Sequence, residues 1–388
     1  MKILTVVGAR PQFIKAAMVS RAIAAHNTAI IGHKLPDCDC SSPIIHRPGP
    51  DYNPLPITEV ILHTGQHYDR NMSDIFFTQM GIPEPAVNLD INGGSHGAMT
   101  GKMLFGIEAE ILSHKPDWVL VYGDTNSTLA AALAAVKLHV PLAHVEAGLR
   151  SFNRRMPEEI NRVLTDCISS LLFCPTRSAV ANLAREGITK GVHHVGDVMY
   201  DAAIVFGEIA AANSSALTDL GLDTGEYLLA TVHRAENTDD PVRMKKILNA
   251  LQELSETCKV VFPVHPRTRQ KMSGLDMLNQ QREIKNLQLI PPVSFLDMVQ
   301  LEKNARCILT DSGGVQKEAY FHGVPCVTLR EETEWVETVT AGWNQVVGAD
   351  VEKICSAVNV AASGRAIPEY GNGCSSEAIV KFLRNAAP

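Results

Sequence analysis

Positive charge is in short supply along this chain. Its 35 Lys and Arg are outnumbered by 42 Asp and Glu, for a formal net charge of −7. Phosphate backbones reward a basic surface, so a general nucleic-acid binder is excluded and any anion must be met by local Arg and Lys. Long apolar runs are missing too: none approaches the length of a bilayer span, so no membrane partner is expected. A secretory leader is not expected either, because Met1–Val7 reads as a strand running straight into a polar turn. The nine cysteines are odd in number and follow no framework spacing. Cys167, Cys174, Cys258, Cys307, Cys326 and Cys355 lie in or beside apolar stretches and read as buried, reduced thiols. Cys38 and Cys40, beside His33 and His46, match no standard zinc spacing, so no metal is expected there. No G-x-G-x-x-G follows the first strand and no P-loop motif occurs, which argues against a dinucleotide dehydrogenase and a P-loop NTPase. Together these absences describe a soluble cytoplasmic protein.

What is present is a rhythm of strand and helix. With 388 residues and 45% hydrophobic content, the chain can fill two ordinary cores. Strands are expected at Ile3–Val7, Val60–Leu62, Trp118–Val121, Leu142–Val145 and Leu171–Cys174, and then at Tyr227–Ala230, Lys259–Phe262, Leu287–Ile290, Arg306–Leu309 and Pro325–Thr328. Their hydrophobicity is continuous rather than alternating, which implies parallel strands covered on both faces. Spacers such as Ser127–Lys137 and Met244–Leu254 are helical in length and composition. The expected fold class is therefore α/β, with two Rossmann-like, doubly wound parallel-sheet domains around a central cleft. The rhythm restarts near Val195–Ala203, giving an N-terminal domain over 1–198 and a C-terminal domain over 199–388, with the last helix expected to pack back on the first domain. Residues 28–56 break the rhythm and read as a surface loop or disordered insertion.

Two turns stand out, one per half. Gly8-Ala9-Arg10-Pro11 follows the first strand, and Thr310-Asp311-Ser312-Gly313-Gly314 follows Cys307–Leu309. A helix beginning just past such a turn aims unpaired N–H groups and its positive dipole end at a phosphate or diphosphate. Other strand ends carry Gly123-Asp124-Thr125, His144–Gly148, His233–Asn237 and His265-Pro266, and Glu158 precedes a helix. Singly, Asp124 and Glu158 read as helix caps or first-turn charges, and His233 and His265 as turn histidines. As a set, the polar groups gathered at strand ends read as a site. Arg10 and Lys15 sit about one helical turn apart, as a phosphate clamp requires. Glu318 is placed to accept two ribose hydroxyls or to pair with a surface Lys, and Phe295 to lie against a uracil ring or in the core.

These motifs in order resemble the non-hydrolysing UDP-N-acetylglucosamine 2-epimerase family. The match rests on Gly8–Lys15, His63–His67, Gly123–Thr125, His144–Arg150, Pro157–Arg162, Val195–Asp197, His233–Asn237 and Thr310–Glu318. The resemblance implies a fold of the GT-B glycosyltransferase type, a homodimer, and neither metal nor nicotinamide cofactor. By motif position, Asp124, Glu146, Glu158 and His233 take the catalytic acid/base roles. The nucleotide contacts fall on Arg10, Lys15, His265, Ser312, Gly313, Gly314 and Glu318, with Arg330 near the sugar. The chain departs from the main branch at Gly8–Gln12 and at Trp335, where that branch has an Arg-Pro pair. Both variants are similar to the branch acting on UDP-2,3-diacetamido-2,3-dideoxyglucuronic acid. The spacing from His67 to Met72 is longer than in members activated by their own substrate, so a second, regulatory substrate site is expected to be weak or missing.

The implied reaction interconverts UDP-GlcNAc and UDP-ManNAc through a glycal intermediate. The diacetamido-uronate substrate is the alternative reading. A glycosyltransferase of the same fold is a second alternative, but it has no use for several carboxylates around one sugar carbon. A hydrolysing epimerase and a nucleotide-sugar sensor stand further off.

Overall fold

Burial on both faces is what the apolar segments require. In the computed structural model of the protein they meet it by pairing into two all-parallel sheets. Residues 1–32, 55–66, 81–274, 286–360 and 364–386 are described. The chain divides into two compact units, Met1–Asp201 with Glu369–Pro388, and Ala202–Pro368.

The first unit holds β1 (Lys2–Val7), β2 (Thr58–His63), β3 (Val87–Asn88), β4 (Trp118–Tyr122), β5 (Leu142–Val145), β6 (Leu171–Cys174) and β7 (Val192–His194). The strands lie in the order β3-β2-β1-β4-β5-β6-β7. Around them pack α1 (Arg10–Gly32), α2 (His96–His114), α3 (Asn126–Lys137), α4 (Pro157–Ile168) and α5 (Arg177–Arg185). Strand order reverses between β1 and β4, and a doubly wound sheet opens its ligand crevice at the carboxyl ends of such a pair. Small side chains let α3 pack closely: Ala130, Ala131, Ala132, Ala134 and Ala135 have no exposed surface. Gly8 serves the same closeness, since a Cβ there would fall 2.2 Å from both Thr64 Oγ1 and Ser127 Oγ.

After α6 (Val198–Asn213) and α7 (Ala216–Leu220), the second unit adds β8 (Tyr227–Thr231), α8 (Ala235–Thr238), α9 (Pro241–Ser255), β9 (Lys259–Pro263), α10 (Pro266–Gly274) and β10 (Leu287–Ile290). It continues through α11 (Phe295–Asn304), β11 (Cys307–Thr310), α12 (Gly313–Phe321), β12 (Cys326–Thr328), α13 (Val336–Thr340), β13 (Asn344–Val346) and α14 (Val351–Asn359). Its order, β10-β9-β8-β11-β12-β13, reverses between β8 and β11. The last helix, α15 (Ser375–Asn385), packs on α1 of the first unit. Its first turn is anchored by Asp201, whose carboxylate accepts from Ser375 N, Ser376 N and Ser376 Oγ at 3.1, 2.7 and 2.7 Å.

Ten strands sit where the apolar runs place them. Among the described residues three strands are additional, β3, β7 and β13; they have two or three residues each and lie at sheet edges, too short to register as runs. Residues 28–32, expected to begin a loop, instead continue α1. The Asn27 side chain bonds Ile57 N and O at 2.9 and 2.8 Å, tying that turn of helix to the chain entering β2. The rest of the expected insertion, 33–54, with His33, Cys38, Cys40 and His46, lies outside the described residues. Cys174, Cys258, Cys307 and Cys326 are buried free thiols and Cys355 is half-buried. Cys167 is exposed, contrary to expectation, because it falls on the outer face of α4. Among the described residues, no helix is long and apolar enough to cross a membrane.

Candidate active site

In the first unit, two carboxylates and two cations gather at the carboxyl ends of β4 and β5. Gly123 turns the chain after β4 at φ +59°, and Glu146 turns it after β5 at φ +72°, a left-handed conformation that a side-chain-bearing residue rarely adopts. Glu146 N donates to Phe173 O at 3.1 Å, which holds that turn against β6. The Glu146 carboxylate pairs with the buried Lys15 ammonium, and the Asp124 carboxylate pairs with Arg162. Arg162 also reaches Glu159 at 3.1 Å. Asp124 is not the cap of the helix that follows it: Thr125 is, accepting from Thr128 N at 3.3 Å. Burial pushes the Asp124 carboxyl above the ordinary carboxylate range. Arg162 opposes that rise, the charge of Glu146 adds to it, and Lys15 lowers it.

The neighbouring carboxylates Glu158 and Glu159 part ways. Glu158 is exposed in the first turn of α4. Glu159 is buried and accepts from Ser151 N, Ser151 Oγ and Phe152 N, each at 2.9 Å. It therefore shapes the 151–156 loop while holding Arg162 toward Asp124.

The first glycine turn is already filled. Gln12 Oε1 accepts from Gly8 N and Ala9 N at 2.8 and 3.0 Å. Its amide nitrogen donates to Tyr122 O at 2.7 Å, Thr125 Oγ1 at 3.0 Å and Thr128 Oγ1 at 2.9 Å. Those backbone donors, expected to face a phosphate, instead splice the β1 turn to the β4 turn. Arg10 opens α1, and its side chain lies outside the described part of the structure.

The second unit carries the other turn. Ser312 precedes α12 without capping it by its own side chain, and a helix start of this kind presents N–H groups suited to an anion. Asp311 is fully buried and accepts from His233 N at 3.1 Å, Arg234 N at 3.0 Å and Asn237 Nδ2 at 3.0 Å. His233 Nδ1 lies 3.4 Å from the same carboxylate. Partial burial lowers the His233 pKa, Asp311 pulls it up, and Arg234 and His265 lower it further. His265 is thus a close neighbour of His233, exposed just before α10. Arg330 is buried, donates to Glu334 at 2.9 Å, and keeps a buried Nε with no protein partner among the described residues. Glu334 in turn crowds the Gly313 turn, where an added Cβ would lie 2.4 Å from its Oε1. Glu318 is half-buried one turn into α12, near Gly314.

Asp124, Glu146 and Lys15 thus form one group, and His233, His265, the Ser312–Gly314 turn, Glu318 and Arg330 lie around the β8–β11 switch point of the second unit. Phe295 joins neither group: its ring is buried edge-on against Phe206, centroids 5.2 Å apart. His67 and Met72, on which the expectation about a regulatory site rests, lie outside the described residues. Sequence reasoning missed Gln12, Glu159, Arg162 and Asp311. All four stand inside the motifs that carry the resemblance, and Glu159 had a further signal: it falls on the buried side of the amphipathic α4 and Glu158 on its exposed side.

Comparison with known proteins identifies the family. The family model for UDP-N-acetylglucosamine 2-epimerase matches residues 54–384. A UDP-N-acetylglucosamine 2-epimerase homolog of Methanococcus maripaludis is 51% identical, covering 99% of this chain and all of its own. A UDP-2,3-diacetamido-2,3-dideoxy-D-glucuronate 2-epimerase of Pseudomonas aeruginosa is 50% identical, with 99% of both chains covered. The crystal structure of Methanocaldococcus jannaschii UDP-GlcNAc 2-epimerase in complex with UDP-GlcNAc and UDP superposes with a TM-score of 0.84 at 42% identity over the whole of both chains. The chain belongs to the UDP-N-acetylglucosamine 2-epimerase family.

Proposed function

We propose that this protein is a non-hydrolysing 2-epimerase that interconverts UDP-GlcNAc and UDP-ManNAc. The observation that supports it best is the pairing of Asp124 and Glu146, two carboxylates held by different cations around one glycine turn. The proton on sugar carbon 2 is not next to a carbonyl and is only weakly acidic. Its removal is feasible when the C1–O bond to UDP breaks as it leaves, which forms a C1–C2 double bond in a glycal. Re-addition of UDP at C1, with a proton delivered to the other face of C2, gives the epimer. Such a route needs acid and base groups able to serve both faces of the ring, and Asp124, raised by burial, and Glu146, paired with Lys15, are two carboxyl groups in different surroundings. The departing diphosphate needs fixed N–H donors and positive charge, the roles we assign to the Ser312–Gly314 turn and its neighbours His233 and Arg330.

A second reading, with UDP-2,3-diacetamido-2,3-dideoxyglucuronic acid as substrate, is favoured by the 50% identity to the Pseudomonas enzyme over 99% of the chain. A proton NMR time course in deuterium oxide tests both, with the two UDP-sugars in parallel. Epimer formation with deuterium entering at C2 is the expected result for the true substrate. Free ManNAc, or no epimer from either sugar, would overturn the assignment.

We also infer a homodimer. Phe105 and Leu112 on α2 are 79% and 57% exposed, and Ile160 and Leu164 on α4 are 48% and 45% exposed. Both helices pack against α3, so the four side chains belong to one group of helices and leave it with an uncovered apolar face that a second copy would bury.

A further inference from the structure

The buried ionisable groups that this chemistry leaves unused lie beneath Asp124 and Glu146. His144, third residue of β5, has no exposed surface. Its Nδ1 is 2.7 Å from Asp166 Oδ1 and its Nε2 is 2.7 Å from the carbonyl oxygen of Gly123. A carbonyl and a carboxylate only accept, so the ring satisfies both as a double donor. Asp166 is itself fully engaged, accepting from Gly148 N at 3.0 Å and Arg150 Nη1 at 2.7 Å. Arg150 then closes a two-pronged pair on Glu186, at 2.8 and 2.7 Å. Burial works to raise the Asp166 carboxyl, but the hydrogen bond and charge of His144 and the Arg150 guanidinium outweigh it and hold the group below the ordinary range.

The acceptor at the far end of this chain of contacts is the informative part. A Cβ on Gly123 would lie 3.3 Å from Glu146 Oε2 and 3.7 Å from Lys15 Nζ, and the next residue is Asp124. Gly123 N donates to Val145 O at 3.0 Å. The peptide that His144 grips is therefore the one separating the two carboxylates. A buried charged cluster is a poor way to stabilise a fold, since packed apolar side chains do as well or better. A charge-assisted donor is a good way to fix a carbonyl at short range.

We propose that His144, braced by Asp166, is a positioning residue: it pins the Gly123 peptide and so sets the separation and aim of the Asp124 and Glu146 carboxylates. The inference rests on the reading that these two groups exchange the C2 proton. The test compares His144→Gln with the double variant His144→Gln/Asp166→Asn. In the single variant, the glutamine oxygen meets the Asp166 carboxylate when its nitrogen donates to Gly123. In the double variant, the two amides can bond one another and Gly123 as well. Steady-state kinetics on the substrate identified by NMR, UDP dissociation constants and melting curves are read together. His144→Gln is expected to lose about 100-fold in kcat, the size of a small misplacement of reacting groups. KM and UDP affinity should stay within about threefold, and the double variant should recover at least about tenfold. A kcat within about threefold of wild type for His144→Gln overturns the proposal, as does a double variant that regains thermal stability but not kcat. Should His144→Gln alone not fold, the double variant decides: kcat within about tenfold of wild type supports the proposal, and a larger loss in a folded, UDP-binding protein overturns it. Failure of both to fold assigns the pair to folding alone and also overturns it. A wild-type protein that epimerises neither UDP-sugar sinks the functional reading instead, so the two failures are distinguishable.

Discussion

The Lys15 ammonium and the Glu146 carboxylate form an ion pair across 131 positions of sequence. The lysine reaches in from the first turns of α1, and the glutamate is presented by a backbone held at φ +72°. The Asp124 carboxyl nearby is paired with Arg162 and raised by burial.

Removing either acid/base group should therefore separate chemistry from binding. Glu146→Gln and Asp124→Asn are each expected to cut deuterium incorporation at C2 by about 100-fold or more, the usual size of a general acid/base contribution. UDP affinity, measured by calorimetry, should change little. Near-normal exchange in both variants would remove these residues from the mechanism.

Asp311 organises the His233 turn, with two backbone N–H groups and the Asn237 amide converging on it. Asp311→Ala leaves those donors buried without an acceptor, at about 1–3 kcal/mol for each lost partner. A clear drop in the urea midpoint is expected, together with weaker UDP binding and slower turnover. Unchanged midpoints would show that water replaces the carboxylate.

Gln12 is the splice between the β1 and β4 turns. Gln12→Ala should destabilise the first unit by about 2 kcal/mol or more, because Gly8 N and Ala9 N lose their partner, while Tyr122 O keeps Thr128 Oγ1 at 2.8 Å. Hydrogen exchange at the Gly8 and Ala9 amides should speed up accordingly. Protection equal to wild type would refute the splice.

His322, at the end of α12, is lowered to about 4 from 6.5 by burial and by the charge of Lys303. Between those values the unfolded chain binds the extra proton, so this contribution to stability is complete above pH 6.5 and is lost as pH falls toward 4. His322→Asn should flatten the fall in stability over that window by up to roughly 3 kcal/mol. Parallel denaturation curves for the two proteins at pH 4.5 and 7 would contradict the burial argument.

The exposed apolar residues of α2 and α4 make the dimer testable without touching the site. Phe105→Glu with Leu164→Glu should convert the protein to a monomer in sedimentation, while each chain keeps its melting cooperativity. A mass unchanged from wild type would place the interface elsewhere.

Parallel strands were legible because burial on both faces leaves continuous apolar runs such as Trp118–Tyr122 and Tyr227–Thr231, every residue of which is buried. The edge strand Val87–Asn88 left no such trace, being two residues long. At the site, residues at strand ends could be read from the turns they follow. Their partners could not, because Arg162 and Asp124 are 38 positions apart and Lys15 and Glu146 131 apart. Helical periodicity does separate Glu159 from Glu158, but only once α4 is known to turn its Asn161 and Thr165 side inward. Phe295 shows the converse limit, since an aromatic residue after a Pro-Pro turn looks alike whether it meets a base or packs on Phe206.

The anchoring of α15 by Asp201 has a consequence for how the polypeptide matures. The α15 helix belongs beside α1, and every residue of Ala202–Pro368 is synthesised between them. The earlier half must wait, with one flank of α1 bare, until Ser375–Asn385 has emerged. Nascent chains stalled before Ser375 should accordingly recruit holdase chaperones, and emergence of Ser375–Asn385 should discharge them.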